Sequence, residues 1–340
     1  MWYYFRMKQT KSVYGIGNPL IDVIVSVRDS DLSELGMHKG IMQLIGTKQR
    51  LELARFVSTR EASYTCGGSC PNTIITLAAL GVPATLAGKI GDDEFGRIYM
   101  EKLGTDGVGN NLKVCSEPTG SSIILVSEDS ERTMNTYLGA NRMYTPDDID
   151  EAALKESDFF HFTGYMWDTD SQKAAIRRAL RIAHENNIRV SFDIADPFAV
   201  SRYRQDFFDL IRNDCDIVYA NNEEARILFD NYDAMECCKS LGKLCPIGIV
   251  KNGKRGSYIS CGREIHTVAV SGPQKATDTT GAGDNYAAGF LYGQCRGLGI
   301  DKSGEIASFL AGRIITQFGA QFSAQSLPGI RQEVLKIAGI

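Results

Sequence analysis

The stretch DTTGAGDNYAAGFLYG, residues 278–293, sets glycines between a strand and a helix. Before it stands EIHTVAV at 264–270, rich in β-branched residues; after it Ala287, Ala288 and Gly289 suit a close-packed helix. Gly281 and Gly283 can take positive φ, so the backbone N–H groups of Gly281, Ala282 and Gly283 can converge at a helix N-terminus. That end carries about +0.5 of a charge, which makes an anion hole suited to a phosphoryl group in transfer. Asp284 follows at once. A carboxylate beside bound phosphate is repulsive unless it has a task, and the fitting task is general base for a substrate hydroxyl. The plain alternative is an acid capping the helix.

Working outward, strand-like runs recur between helical patterns: VYGIG at 13–17, ATLAGKIG at 84–91, FFHFTG at 159–164, RVSFDIA at 189–195, DIVYAN at 216–221 and PIGIVKNG at 246–253. Between two of them, Ala174, Ile176, Ala179, Leu180, Ile182 and Ala183 predict one apolar helix stripe over 171–187. Alternation of this kind predicts an α/β, Rossmann-like fold: a mainly parallel central sheet flanked by helices. Residues 20–46 and 120–139 break the rhythm with strands and turns, and pairing of the two would make a small β lid. The expected division is a large body of 1–17, 47–119 and 140–340, with a lid of 18–46 and 120–139 inserted in it.

Composition narrows the function. The 340 residues are 43% hydrophobic and 23% charged, and 37 basic against 41 acidic residues give a net charge of −4. A nucleic-acid binder needs a basic surplus. No apolar run reaches the roughly 18 residues of a membrane span, and the opening MWYYFRMKQTK lacks a leader's apolar core, so a cytoplasmic protein is expected. Nine cysteines without a CxxC pair read as reduced, structural thiols, with only Cys66 and Cys70 worth watching. GIVKNGKR at 248–255 misses the P-loop pattern because Arg255 stands where a hydroxyl is required, and Leu20 spoils a dinucleotide fingerprint begun by Gly15 and Gly17.

With YTCGGSCPNTIITLAALG (64–81), AGKIGDDEFG (87–96), NNEE (221–224) and VKNGKRG (250–256), the glycine loop resembles the ribokinase, or phosphofructokinase B, family of sugar and nucleoside kinases. The resemblance implies transfer of phosphate from ATP with Mg²⁺ to a primary hydroxyl. It places Gly67, Gly68 and Asn72 against substrate hydroxyls. Asn221 and Glu224 fall where the family sets Mg²⁺ and the nucleotide phosphates, Glu224 acting through water. Lys251, Gly253 and Gly256 fall on the nucleotide turn, Lys251 in place of a more usual Thr, and Thr279 joins Gly281 and Gly283 on the nucleotide side. Some members bind K⁺ near the positions of Asp278 and Thr279.

GIGNPLIDVIVSV at 15–27 is most similar to adenosine-kinase-like members, in which Asn18 and Asp22 would face the nucleoside. Leu44 then offers an apolar wall and Tyr165 a stacking ring. Arg132, on the lid, resembles an Arg that approaches the transferred phosphate. Adenosine is the first choice of substrate; a free sugar, or a non-catalytic nucleotide or nucleoside binder, are the rivals. Monomer and lid-paired homodimer both stay open.

Overall fold

The computed structural model describes residues 10–129, 131–272 and 275–340. The opening segment read for a leader lies mostly outside them. In chain order the strands are β1 (Val13–Ile16), β2 (Leu20–Ser26), β3 (Met42–Leu44), β4 (Ala62–Gly67), β5 (Ala84–Gly91), β6 (Gly109–Cys115), β7 (Gly120–Val126), β8 (Arg132–Tyr137), β9 (Phe159–Thr163), β10 (Arg189–Asp193), β11 (Ile217–Asn221), β12 (Ile247–Lys251), β13 (Ser257–Cys261) and β14 (Glu264–Val268). The helices are α1 (Asp29–Glu34), α2 (Thr47–Val57), α3 (Ser69–Ala79), α4 (Glu94–Thr105), α5 (Glu151–Lys155), α6 (Asp170–Glu185), α7 (Pro197–Asp214), α8 (Asn222–Phe229), α9 (Ala234–Leu241), α10 (Ala282–Cys295), α11 (Ile300–Ile314) and α12 (Leu327–Ala338).

Among the described residues the strands form two sheets. The larger runs β14-β13-β12-β11-β10-β9-β1-β5-β6, parallel from β12 to β6, with β13 and β14 added antiparallel. Its inner strands are buried on both faces, while the edge strands β6 and β14 are not, and parity divides the inner side chains. Ile217 and Tyr219 join the core that holds Phe290 and Leu310 of α10 and α11, whereas Val218 and Ala220 join that of Ile176, Leu180 and Phe207. On α6 the buried stripe is Gln172, Ala175, Ile176, Ala179 and Ala183, the i, i+3, i+4, i+7 pattern; Ala174, expected in it, points outward one step round the helix.

The smaller sheet runs β3-β8-β7-β2-β4. The two segments expected to pair do so, through the parallel pairs β2 with β7 and β3 with β8. One boundary needs correction. Residues 62–67, counted with the large body, form β4 at the edge of the small sheet, antiparallel to β2. The sequence hid this strand because ASYTCG carries one aliphatic side chain and a terminal glycine. Strands β6 and β13 were likewise not read as strands.

Candidate active site

The ends of β1, β9, β10, β11 and β12 open into one cleft of about 1290 Å³, roofed by the small sheet. This is the carboxyl-end crevice where open α/β sheets hold ligands. Asn18, Asp22, Asn72, Asn221, Glu224, Lys251 and Asp284 all line it, so residues from both ends of the chain meet there.

Asp284 lies in the first turn of α10 but does not cap it. Its Oδ1 accepts the Ser69 hydroxyl at 2.6 Å and its Oδ2 accepts the Asn72 amide at 2.8 Å, both from the first turn of α3. Thr73 adds a hydrogen bond to the Asp284 backbone carbonyl, and Asn285 donates to the carbonyls of Gly281 and Ala320. Two helix N-termini therefore face one carboxylate. Burial pushes the Asp284 carboxyl up to about 6, against the pull of the Ser69 and Asn72 hydrogen bonds, which is a value suited to a general base near neutrality. Gly281, the residue before α10, has φ +73°, and a Cβ there would stand 2.4 Å from that of Ala320, so only glycine leaves the anion loop in this shape.

On the substrate side, Asp22 accepts no hydrogen bond from the described residues. Burial pushes its carboxyl up to about 7, partly offset by Arg132, while Asp284 and Asp278 add to the rise. Gly67 lies directly under this carboxylate, where a Cβ would come within 2.5 Å of Oδ2, and Gly67 does not itself line the cleft. Gly68 does, with φ +104° where the chain turns into α3. That helix starts at Ser69. Asn18 is held on both amide atoms, donating to the Tyr165 carbonyl at 3.3 Å and accepting from Gln172 at 3.0 Å. Leu44 and Tyr165 are 51% and 36% exposed at the cleft wall, joined by Phe198 at 64%; Trp167 is buried and donates to Asp206.

On the other side, Asn221 and Glu224 close a reciprocal capping box on α8. Glu224 accepts the Asn221 backbone N–H at 2.7 Å and its amide at 2.6 Å, and Asn221 Oδ1 accepts the Glu224 N–H at 2.8 Å. Burial pushes the Glu224 carboxyl up to about 7, with Lys251 opposing and Asp193 reinforcing. Lys251 donates to Asp193 at 2.9 Å. Gly253 and Thr279 line the cleft. Gly256 does not: its Cα packs where a Cβ would meet the Val268 carbonyl at 2.1 Å, so it serves the β12–β13 turn. Arg132 is also absent from the lining. Its guanidinium binds Asp278 at 2.9 Å and the Thr280 hydroxyl, tying the lid to the anion loop.

Residues 39–327 match the pfkB family of carbohydrate kinases. The chain belongs to this family. It is 33% identical over 249 residues, 72% of its length and 96% of the relative's, to an uncharacterized sugar kinase of Archaeoglobus fulgidus. Its fold is similar to the adenosine kinase of Sinorhizobium meliloti (TM-score 0.86, 37% identity, 95% of this chain and 99% of that one) and to a probable sugar kinase of Rhizobium etli (TM-score 0.87, 35% identity, 97% and 99%). As a pfkB-family kinase the protein is a phosphotransferase acting on an alcohol group, which sets aside the non-catalytic binder.

Ser69, Asp193 and Gln172 escaped the sequence reading. Asp193 had a signal, being the polar end of the strand RVSFD at the sheet's carboxyl edge; Ser69 and Gln172 had none beyond their neighbours. The two watched thiols are buried, Cys66 with its pKa pushed up to about 12 and Cys70 also well above the ordinary range, so neither is a reactive thiolate. No helix among the described residues is long and apolar enough to cross a membrane.

Proposed function

We propose that this pfkB-family kinase phosphorylates the primary hydroxyl of adenosine, using ATP, and so works in purine salvage. The observation that carries the reading is the pairing of Asp22 and Asp284 across one cleft with an apolar and aromatic wall beside them. Asp22, without a donor among the described residues, would accept two ribose hydroxyls, while Leu20, Leu44, Tyr165 and Phe198 offer surface for a flat base. Held so, the 5′-hydroxyl faces Asp284. Asp284 takes its proton, the hydroxyl oxygen bonds to the γ-phosphorus, and the bond to the bridging oxygen breaks so that ADP leaves with the electron pair. The N–H groups at Gly281 to Gly283 would hold the phosphoryl oxygens.

Among the described residues no three His, Cys, Asp or Glu side chains gather into a metal cage. Glu224 keeps a lone pair on each oxygen, which fits contact with Mg²⁺ through water. Bound Mg²⁺ would offset negative charge on the ATP phosphates. The Asp278 oxygens are filled by Arg132, Thr280 and Gly319, so the mechanism proposed here gives K⁺ no step. Free thiols fit a reducing, cytoplasmic setting. A free sugar is the second reading, favoured by the Ser122 and Thr136 hydroxyls that line the cleft 3.0 Å apart.

ADP release from Mg²⁺-ATP with adenosine, other nucleosides, ribose and fructose decides between them. Adenosine is expected to give the highest kcat/KM; turnover of a free sugar without turnover of adenosine would overturn the reading.

A further inference from the structure

Lys251 and Asp193 end β12 and β10 and reach over the end of β11 to form an ion pair, with side chains only 15% and 5% exposed. An ammonium carries three donors, and Asp193 takes one. No other described residue accepts from Lys251. Its Nζ lies 3.2 Å from where a Cβ on Gly283 would stand, beside the loop that offers its N–H groups to an anion. Glu224 and Asp284 are close enough for Lys251 to draw both carboxyls downward, so the ammonium faces the centre of the site.

Resting on the kinase reading above, we propose that Lys251 is a catalytic residue that binds the transferring γ-phosphoryl group, with Asp193 as the positioning residue that holds its ammonium over the anion loop. The two unspent N–H donors take phosphoryl oxygens on the side opposite the Gly281 to Gly283 amides. Lys251 stays protonated throughout. The hydroxyl proton goes to Asp284, the new O–P bond forms, and ADP departs with the electrons of the broken bond. The lysine in place of a neutral side chain thus supplies a fixed positive charge in a chain whose lid arginine is already spent on Asp278.

The test compares binding of AMP-PNP, which carries a γ-phosphoryl group, with that of ADP, which does not, by calorimetry on the wild-type protein, K251M and K251M/D193N. The double variant removes both charges together, so it avoids stranding a buried carboxylate and serves if K251M fails to fold. Both are expected to lose at least tenfold in AMP-PNP affinity while ADP affinity changes less than threefold. Equal loss for the two nucleotides, or no loss for either, overturns the proposal. No acceptor substrate enters this measurement, so its failure is separate from failure of the adenosine reading.

Discussion

Replacing Asp284 with Asn should abolish turnover and make the folded protein less sensitive to pH. In the fold the carboxyl sits at about 6, against 3.8 for an ordinary aspartate, because burial disfavours its charge. The sign follows from which state holds the proton. Between about 4 and 6 the folded protein keeps a proton that the unfolded chain has released, so stability falls as pH rises through that window. A shift of about 2 units corresponds to roughly 3 kcal/mol. The Asn variant lacks this slope. Its stability relative to the parent should therefore rise by about 2.4 kcal/mol between pH 4 and 7.5, since the unfolded carboxyl is already more than half ionised at pH 4, and somewhat less where Asp22 relaxes once the neighbouring charge is gone. Asn can accept only one of the two donors from Ser69 and Asn72, which lowers the variant by about 1 kcal/mol at every pH and leaves the difference intact. For 340 residues, about 2.4 kcal/mol is about 3 °C in Tm. Thermal melts of both proteins at the two pH values read it directly. A Tm difference that stays constant from pH 4 to 7.5 refutes the reasoning.

Wild-type kcat/KM should fall as pH drops through about 6, where Asp284 of the free protein takes up its proton; a flat profile from 5 to 8 would exclude it as the base. Ser69→Ala and Asn72→Ala remove donors that hold the Asp284 carboxyl down, so each should move that acid limb upward. Gly281→Ala meets both the positive φ and the Ala320 side chain, and should lower kcat by about 10²-fold or more as the anion hole deforms; near-normal kcat would mean that the loop does not need this shape. Arg132→Ala cuts the bridge from lid to anion loop and leaves Asp278 without its cation, and should reduce kcat/KM about tenfold or more.

The sequence exposed the parallel sheet, apart from the half-exposed edge strand β6, because its inner strands are buried on both faces and read as apolar runs. It exposed the anion loop because glycine is required there for backbone reasons. It hid β4, whose polar side chains gain their place from pairing with β2, a contact made across forty residues of chain. Asn72 and Glu224 were found, yet their bonding was not: Asn72 turns its amide to Asp284, and Glu224 spends both oxygens on Asn221. Side-chain partners drawn from distant segments leave no periodic mark, which is why Ser69, Asp193 and Gln172 went unseen while the glycines beside them stood out.

The chain passes between the two sheets four times, at 17–19, 67–69, 116–119 and 138–139. Two of these crossings contain Asn18 and Gly68, which line the cleft. The roof is therefore hung on residues that line the cleft, and it has no single stalk by which it could be cut away or exchanged. A substitution made at a crossing to reshape the cleft would also shift how the roof is seated, and a change in that seating would reshape the cleft.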